Sequence, residues 1–288
     1  MYLPMDTTPD ISVILTMYNS ERFVERAILS ILRQEPHGLH LEIIVIDDGS
    51  TDGSCQVVEK LNHPSIRLIS LSANIGQALA RNEGLEEAKG EWIQFLDSDD
   101  RIGPNLYQNF EKRIQPDINC YLFSFIRESA TERLRQTITT IKDKRAFGHF
   151  GGTASNKFLR KSIILLFKPF RYSDICFTVD MMNNTTLKMA LLQDTYYRYN
   201  QENEHSITAN FDKVEFQRMF DYLMDAIPKS DAWTRMYILE MGVAFLYDPK
   251  IPKSISLRSA MHSILRLYRY LPSVILNQNR HFIKSVRM

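Results

Sequence analysis

Short β-branched runs alternate along the chain with stretches whose apolar residues recur every three or four positions. Ile11-Ser12-Val13-Ile14-Leu15 reads as a strand and stops at Asn19-Ser20, a pair suited to capping a following helix. From Glu21 to Arg33, the residues Phe23, Val24, Ala27, Ile28, Ile31 and Leu32 share one face, which predicts a helix lying on a sheet. The alternation continues with strand Leu41 to Ile46, a helix to about Leu61, strand Ile66 to Leu71, helix Ile75 to Ala88 and strand Trp92 to Leu96. Strands separated by helices imply crossover connections, hence an α/β fold with a mostly parallel sheet flanked by helices. Beyond Pro104 the spacing predicts a helix over Asn105 to Ile114, strands near Tyr121 to Arg127 and Thr137 to Ile141, and mixed structure to about Tyr199. Three helices are expected near Phe211 to Ala226, Asp231 to Leu246 and Ser254 to Tyr270. The expected division is an α/β domain over 1–210 and a C-terminal helical region over 211–288.

Composition narrows the function classes. With 288 residues, 44% of them hydrophobic, the chain can bury one large core. A net charge of +1 gives a nucleic-acid partner no support. Cys55, Cys120 and Cys176 are far apart and form no CxxC pair, which suits a reduced, cytoplasmic setting. The opening residues hold Asp6 and Asp10 and no apolar run of the signal-peptide kind, and no run approaches the roughly 20 residues that span a bilayer. From 249 to 288 there are eight Lys or Arg and no Asp or Glu, interleaved with Ile264, Leu265, Leu267, Tyr268 and Leu271. That pattern predicts either a helix lying on an anionic membrane surface, peripheral on the inner face of the cytoplasmic membrane, or a helix packed on the domain with a solvated basic face.

The polar residues at the ends of the apolar runs carry the chemistry. Asp97, Asp99 and Asp100 leave the fourth strand at its carboxyl end, and in an extended segment Asp97 and Asp99 would point into one cleft. Two carboxylates alone repel; a hard divalent cation, Mg²⁺ or Mn²⁺, removes the penalty and completes its shell with substrate phosphates and water. A diphosphate is the expected guest. Asp47 and Asp48 leave another strand at the same end of the sheet, where ligands of such folds bind, while Ser50 or Asp52 is placed to cap the next helix.

These segments resemble the family 2 inverting glycosyltransferases, whose donor domain has the GT-A fold. The resemblance rests on four ordered blocks: Ile11 to Asn19, Ile44 to Asp52, Asn74-Ile75-Gly76 through Ala80-Arg81-Asn82, and Ala88 to Asp100. It covers about the first 105 residues and continues more weakly to about 208. It implies a sugar passed from a nucleotide-diphosphate donor, UDP above all, to a hydroxyl of a glycan or lipid-linked acceptor in surface polysaccharide or lipopolysaccharide synthesis. Thr16, Tyr18 and Asp48 would cradle the nucleotide base, with Asp47 beside them, and Arg81 would stand next to the nucleotide. Asp97 would touch the ribose or the metal, and Asp99 would ligate Mg²⁺ or Mn²⁺ across the two phosphates, with Asp100 as a helper.

The resemblance also implies a general base. Tyr172-Ser173-Asp174 occupies the place of the family's Glu-Asp pair, ahead of Tyr196-Tyr197-Arg198-Tyr199 and Ser206-Ile207-Thr208. Ser173 replaces the Glu; Asp174 is the expected base, Asp180 its nearest rival, and an N-cap the structural alternative. Lys157 matches a recurring basic position but reads equally as a surface lysine, and His149 and His205 are lone histidines with no assigned partner. The missing GxGxxG and GxxxxGK[ST] argue against a nicotinamide enzyme and a P-loop ATPase. The rival readings are a catalytically impaired sugar-nucleotide-binding scaffold of the same fold and a sugar nucleotidyltransferase.

Overall fold

The computed structural model describes residues 8–34, 38–128, 133–136, 141, 146–149, 153–201, 203 and 212–247. The alternation predicted from the apolar pattern is realised as β1 (Ile11–Met17), α1 (Val24–Leu32), β2 (Leu41–Asp47), α2 (Ser54–Leu61), β3 (Ile66–Ser70), α3 (Gln77–Glu87) and β4 (Trp92–Asp97). There follow β5 (Arg101–Ile102), α4 (Leu106–Glu111), β6 (Cys120–Glu128), β7 (Arg133–Gln136), α5 (Ala146–His149), β8 (Lys157–Arg160), α6 (Ser173–Asn183), β9 (Met189–Asn200), α7 (Lys213–Ala226) and α8 (Ala232–Tyr247). Residues 137–140 of an expected strand, the expected helix at 254–270, the whole basic segment 249–288 and His205 lie outside the described residues.

One sheet runs β3-β2-β1-β4-β8-β6-β9-β5, with β7 on β6. β3, β2, β1 and β4 are mutually parallel, as are β6 and β9, and these carry most of the registered pairs; β8, β5 and β7 pair antiparallel. The chain steps from β1 outward to β2 and β3, then returns to place β4 on the other side of β1. Such a reversal leaves a crevice beyond the strand ends, the usual ligand position in α/β sheets.

Both faces of the parallel part are covered at its centre, so β1 and β4 are buried almost throughout while the edge strand β3 is half-buried. Ile11, Val13, Leu15 and Met17 pack with Val24, Ala27, Ile28 and Ile31 of α1. Ile14, Ile44 and Ile46 face the other way, into a cluster shared with Phe177 of α6, Phe216 and Phe220 of α7 and Tyr237 of α8. The helices after residue 212 therefore share a core with the sheet. Asp212 caps α7 by accepting from Val214 N and Glu215 N at 2.9 and 3.0 Å.

Capping differs from the expectation at α1. Asn19 and Ser20 do not cap α1, which starts at Val24: Asn19 adopts a left-handed φ of 48° and its side chain accepts from Thr51 N, while Ser20 Oγ meets Ser98 Oγ at 2.7 Å. These bonds tie the ends of β1, β2 and β4 together. At α4 the cap comes from a distant residue, Gln34, whose Oε1 accepts from Leu106 N and Tyr107 N. The acidic turn before it is thus not needed as a helix cap.

Candidate active site

Register brings the predicted residues level at one edge. Thr16 stands opposite Asp97 across β1 and β4, and Met17 opposite Asp47 across β1 and β2. Thr16 Oγ1 is buried with no hydrogen-bond partner among the described residues, an orphaned polar atom at the floor of the crevice. Tyr18, one step past the strand, is 48% exposed and presents a ring at the rim.

Asp47 and Asp48 are both buried. Asp47 accepts from Ser50 N at 3.2 Å and from the Cys55 thiol at 3.1 Å, which holds its own turn. Asp48 accepts from Ile75 N at 2.7 Å and Gly76 N at 3.0 Å, so its carboxylate pins the loop leading into α3. Gly49 has φ +72° and sits where a Cβ would fall 2.7 Å from the Ala73 carbonyl carbon, so only glycine admits this approach. Burial raises the Asp48 pKa, the two N–H donors oppose that, and the charge of Asp47 adds to it.

The Asp97 to Asp100 segment is a turn rather than an extended run, closed by Asp100 N donating to Asp97 O at 3.0 Å. Strand alternation is therefore not what brings Asp97 and Asp99 together; the turn does. Asp97 Oδ1 accepts from Arg81 Nη2 at 2.7 Å and Gln77 Nε2 at 3.0 Å. Asp99 accepts from Asn203 Nδ2 at 2.7 Å, and burial, reinforced by the charge of Asp97, raises its pKa. Asp100 is a structural anchor: it accepts from Tyr197 Oη at 2.6 Å and Asn200 N at 2.7 Å. Burial first, then the charges of Asp99 and Asp97, raise its pKa well above the carboxylate norm.

Arg81 is 1% exposed and joins the two halves of the site. Its Nη1 donates to Asp174 Oδ1 and its Nη2 to Asp97 Oδ1, both at 2.7 Å. Burial opposes the cation, but Asp174 and Asp97 outweigh it and keep its pKa above the ordinary arginine value. Asp174 lies in the first turn of α6 and also receives Ala154 N at 3.4 Å. Burial raises its pKa, Arg81 pulls it back, and the charge of Asp97 raises it again, for a net rise. Asp180, the rival, turns away to α7, where Tyr222 Oη donates to it at 2.6 Å.

Three features were not foreseen. Lys157 is fully buried rather than a surface residue; its Nζ donates to Thr153 O and to Asn156 Oδ1 at 2.8 Å and lies 4.8 Å from the Phe147 ring centre. Desolvation lowers its pKa to about 8. Tyr197 links Asp100 to the Asp97 amide, and Gln77 opens α3 toward Asp97. The Tyr-rich strand was the only signal for Tyr197; nothing in the sequence marked Gln77. His149 ends α5.

Among the described residues no group of three or more His, Cys, Asp or Glu converges on a point. Mg²⁺ and Mn²⁺ need no such cage, since one or two carboxylates plus substrate phosphates suffice. Asp99 and Asp97, whose charge adds to the rise of the Asp99 pKa, fit that donor set.

Residues 12–178, more than half of the chain, match the family model described as Glycosyl transferase family 2. The chain belongs to glycosyl transferase family 2. This family 2 chain is 39% identical over 109 residues to the succinoglycan biosynthesis protein ExoO of Rhizobium meliloti, an alignment covering 38% of this chain and 31% of that protein. It spans between 31% and 62% of the length of the curated relatives it matches first. Among solved structures, residues 1–349 of S. aureus TarS in complex with UDP-GlcNAc superpose with a TM-score of 0.65 at 19% identity, covering 91% of this chain and 73% of that one. The mannosyltransferase PcManGT from Pyrobaculum calidifontis, in complex with GDP-Man and Mn²⁺, gives a TM-score of 0.57 at 16% identity over 98% of this chain and 82% of its own. The family 2 chain thus has the GT-A fold expected from its four sequence blocks. Its three cysteines form no disulfide, and among the described residues no helix is long and apolar enough to cross a membrane.

Proposed function

We propose that the chain transfers a sugar from a nucleotide-diphosphate donor to a hydroxyl of a glycan or lipid-linked acceptor, with inversion, in surface polysaccharide synthesis. The observation that carries this reading is the single guanidinium of Arg81 held between Asp97 and Asp174. It sets a carboxylate able to face the donor phosphates within one arginine's breadth of a carboxylate able to take a proton. Single-step displacement needs both around one anomeric carbon.

In this reading Thr16 Oγ1 and the Tyr18 ring receive the nucleotide base, and Asp48 shapes their wall by holding Ile75 and Gly76. Asp97 and Asp99 would hold Mg²⁺ or Mn²⁺, which supplies Lewis-acid neutralisation of the departing diphosphate. Asp174 takes the acceptor proton as the acceptor oxygen bonds to the anomeric carbon and the sugar–phosphate bond breaks on the opposite side. Its raised pKa strengthens it as a base, and Arg81 fixes its orientation. The names of TarS, in complex with UDP-GlcNAc, and of ExoO support a UDP-sugar donor and a polysaccharide product.

A panel of nucleotide sugars, each with Mn²⁺ or with EDTA, tests the reading by thermal shift and by hydrolysis. A cognate donor at a hundred times its Kd adds about 2.7 kcal/mol to stability, and only with metal. If no nucleotide sugar shifts the melting curve under either condition, the donor assignment fails. Binding without turnover in the presence of acceptor glycans leaves a scaffold role instead.

A further inference from the structure

We propose that Lys157 is a positioning residue for the transfer reaction: its ammonium holds the Thr153–Ala154 peptide group so that the Ala154 N–H pins one oxygen of Asp174 and leaves the other to take the acceptor proton. The inference rests on the assignment of Asp174 as the base under the proposed function. Thr153 O and Ala154 N belong to one planar peptide group, so a cation on the first aims and polarises the second. Lys157 Nζ donates to Thr153 O, and Ala154 N donates to Asp174 Oδ1 at 3.4 Å. That second bond is long, and hydrogen bonds weaken steeply as they lose alignment, so its strength depends on how the peptide is held. Arg81 Nη1 meets the same Oδ1 at 2.7 Å. Asp174 Oδ2 accepts no hydrogen bond among the described residues, and the side chain stays 27% exposed.

The clamp is built on the sheet. Lys157 opens β8 opposite Leu122 of β6, and Asn156 is tied to Phe123 of β6 in both directions, by Asn156 Nδ2 to Phe123 O at 3.0 Å and Phe123 N to Asn156 O at 3.2 Å. Asn156 Oδ1 accepts from the ammonium at 2.8 Å, and the Phe147 ring covers it at 4.8 Å. Ser155 N returns to Thr153 Oγ1 at 2.9 Å and closes the turn, from which Ser155 Oγ reaches Asp97 Oδ2 at 3.5 Å. Residues 153–155 thus meet both carboxylates that Arg81 bridges. Both hydrogen-bond acceptors of the ammonium are neutral, and a buried cation on neutral partners is costly, whereas a methionine would fill the space of the stem without that cost. Burial lowers the Lys157 pKa to about 8, against the opposing influence of Cys120 and Asp174. The hold on the peptide accounts for a charge that packing alone does not require.

In the full chain, Lys157→Met is expected to lower kcat by about tenfold or more while the donor KM and the Mn²⁺-dependent thermal shift stay at wild-type values. A lysine that only supported the fold would instead lower the melting temperature and raise KM together with the loss in kcat. Lys157→Gln, which can still donate to Thr153 O without a charge, is expected to fall between the two and takes the place of the methionine variant if that one does not fold. A second measurement needs no turnover. With alanine labelled with ¹⁵N and the Ala154 signal assigned by Ala154→Gly, Asp174→Asn displaces the Ala154 amide proton in wild type and displaces it about half as far or less in the Lys157→Met or Lys157→Gln background. No transfer by wild type together with unequal displacements sinks the functional reading and leaves the clamp standing. Equal displacements in the two backgrounds, or wild-type kcat in both Lys157 variants, overturn the proposal.

Discussion

Arg81 and Asp174 form an ion pair across 93 residues of chain, Nη1 to Oδ1 at 2.7 Å, with the arginine side chain 1% exposed. The same guanidinium holds Asp97. Removing it leaves two mostly buried carboxylates facing each other, and breaking a buried pair in this way costs about 3–5 kcal/mol. Arg81→Met is expected to lose stability of that order in urea unfolding. Arg81→Lys keeps a charge but cannot bridge both carboxylates in one plane, so it retains part of the stability and loses more of the transfer rate. A melting curve for Arg81→Met equal to wild type would show that the pair carries no such burden.

The two proposed roles of the carboxylates separate by variant. Asp99→Ala is expected to abolish the Mn²⁺-dependent thermal shift given by a cognate donor. Asp174→Asn keeps that shift and loses transfer by a factor of at least about 10². Because the Asp174 pKa is raised and the base must be ionised, the wild-type rate climbs with pH through that raised value and then levels. Turnover in Asp174→Asn with the same pH limb would remove the assignment and return attention to another group.

Asp100 gives a stability signature opposite to that of most carboxylates. Its folded pKa lies well above the unfolded value near 3.8, chiefly through burial. The folded state therefore holds the proton more tightly, and the stabilisation is fully present below the unfolded pKa and is lost as pH rises through the folded one. Asp100→Asn mimics the protonated side chain toward Tyr197 and Asn200. The variant is expected to show a flatter dependence of the urea midpoint on pH above 4 than wild type. Parallel curves for the two proteins would show that Asp100 does not carry the linkage.

The parallel half of the fold is legible because β1 and β2 are largely continuous β-branched apolar runs and α1 shows a three-to-four spacing. Asp97 can be picked out as a polar residue at the end of an apolar strand and Asp174 through the family resemblance alone, yet their common partner cannot. Arg81 sits mid-helix with nothing local to show that it is buried; its position depends on α3 lying on β1 and α6 arriving from far along the chain. Lys157 stays open between site and surface for the same reason: a charged residue at the start of a short strand looks exposed until the aromatic ring of Phe147 closes over it. The Asp97 to Asp100 turn looks extended in the sequence because nothing local reveals that Tyr197, 97 residues on, draws Asp100 inward.

The depth at which α3 rests on the sheet fixes where Arg81 can reach. Gly84, one turn beyond Arg81, lies against Ile14 of β1, and a Cβ built there falls 2.4 Å from Ile14 Cγ2. Gly84→Ala must push the helix off the strand or force Ile14 from its rotamer, an overpacking cost of about 1–3 kcal/mol that exceeds the helix-propensity gain of roughly 1 kcal/mol. Ile14→Ala opens a cavity and costs about 2–5 kcal/mol alone. Combined, the added methyl enters the space that was vacated, so the double variant is expected to be more stable than the sum of the two losses, by a coupling of about 0.5–3 kcal/mol in urea unfolding. If the overpacked helix also displaces Arg81, Gly84→Ala lowers the transfer rate and the double variant recovers it. Strict additivity in both stability and rate would mean that α3 yields freely and that Gly84 does not set its depth.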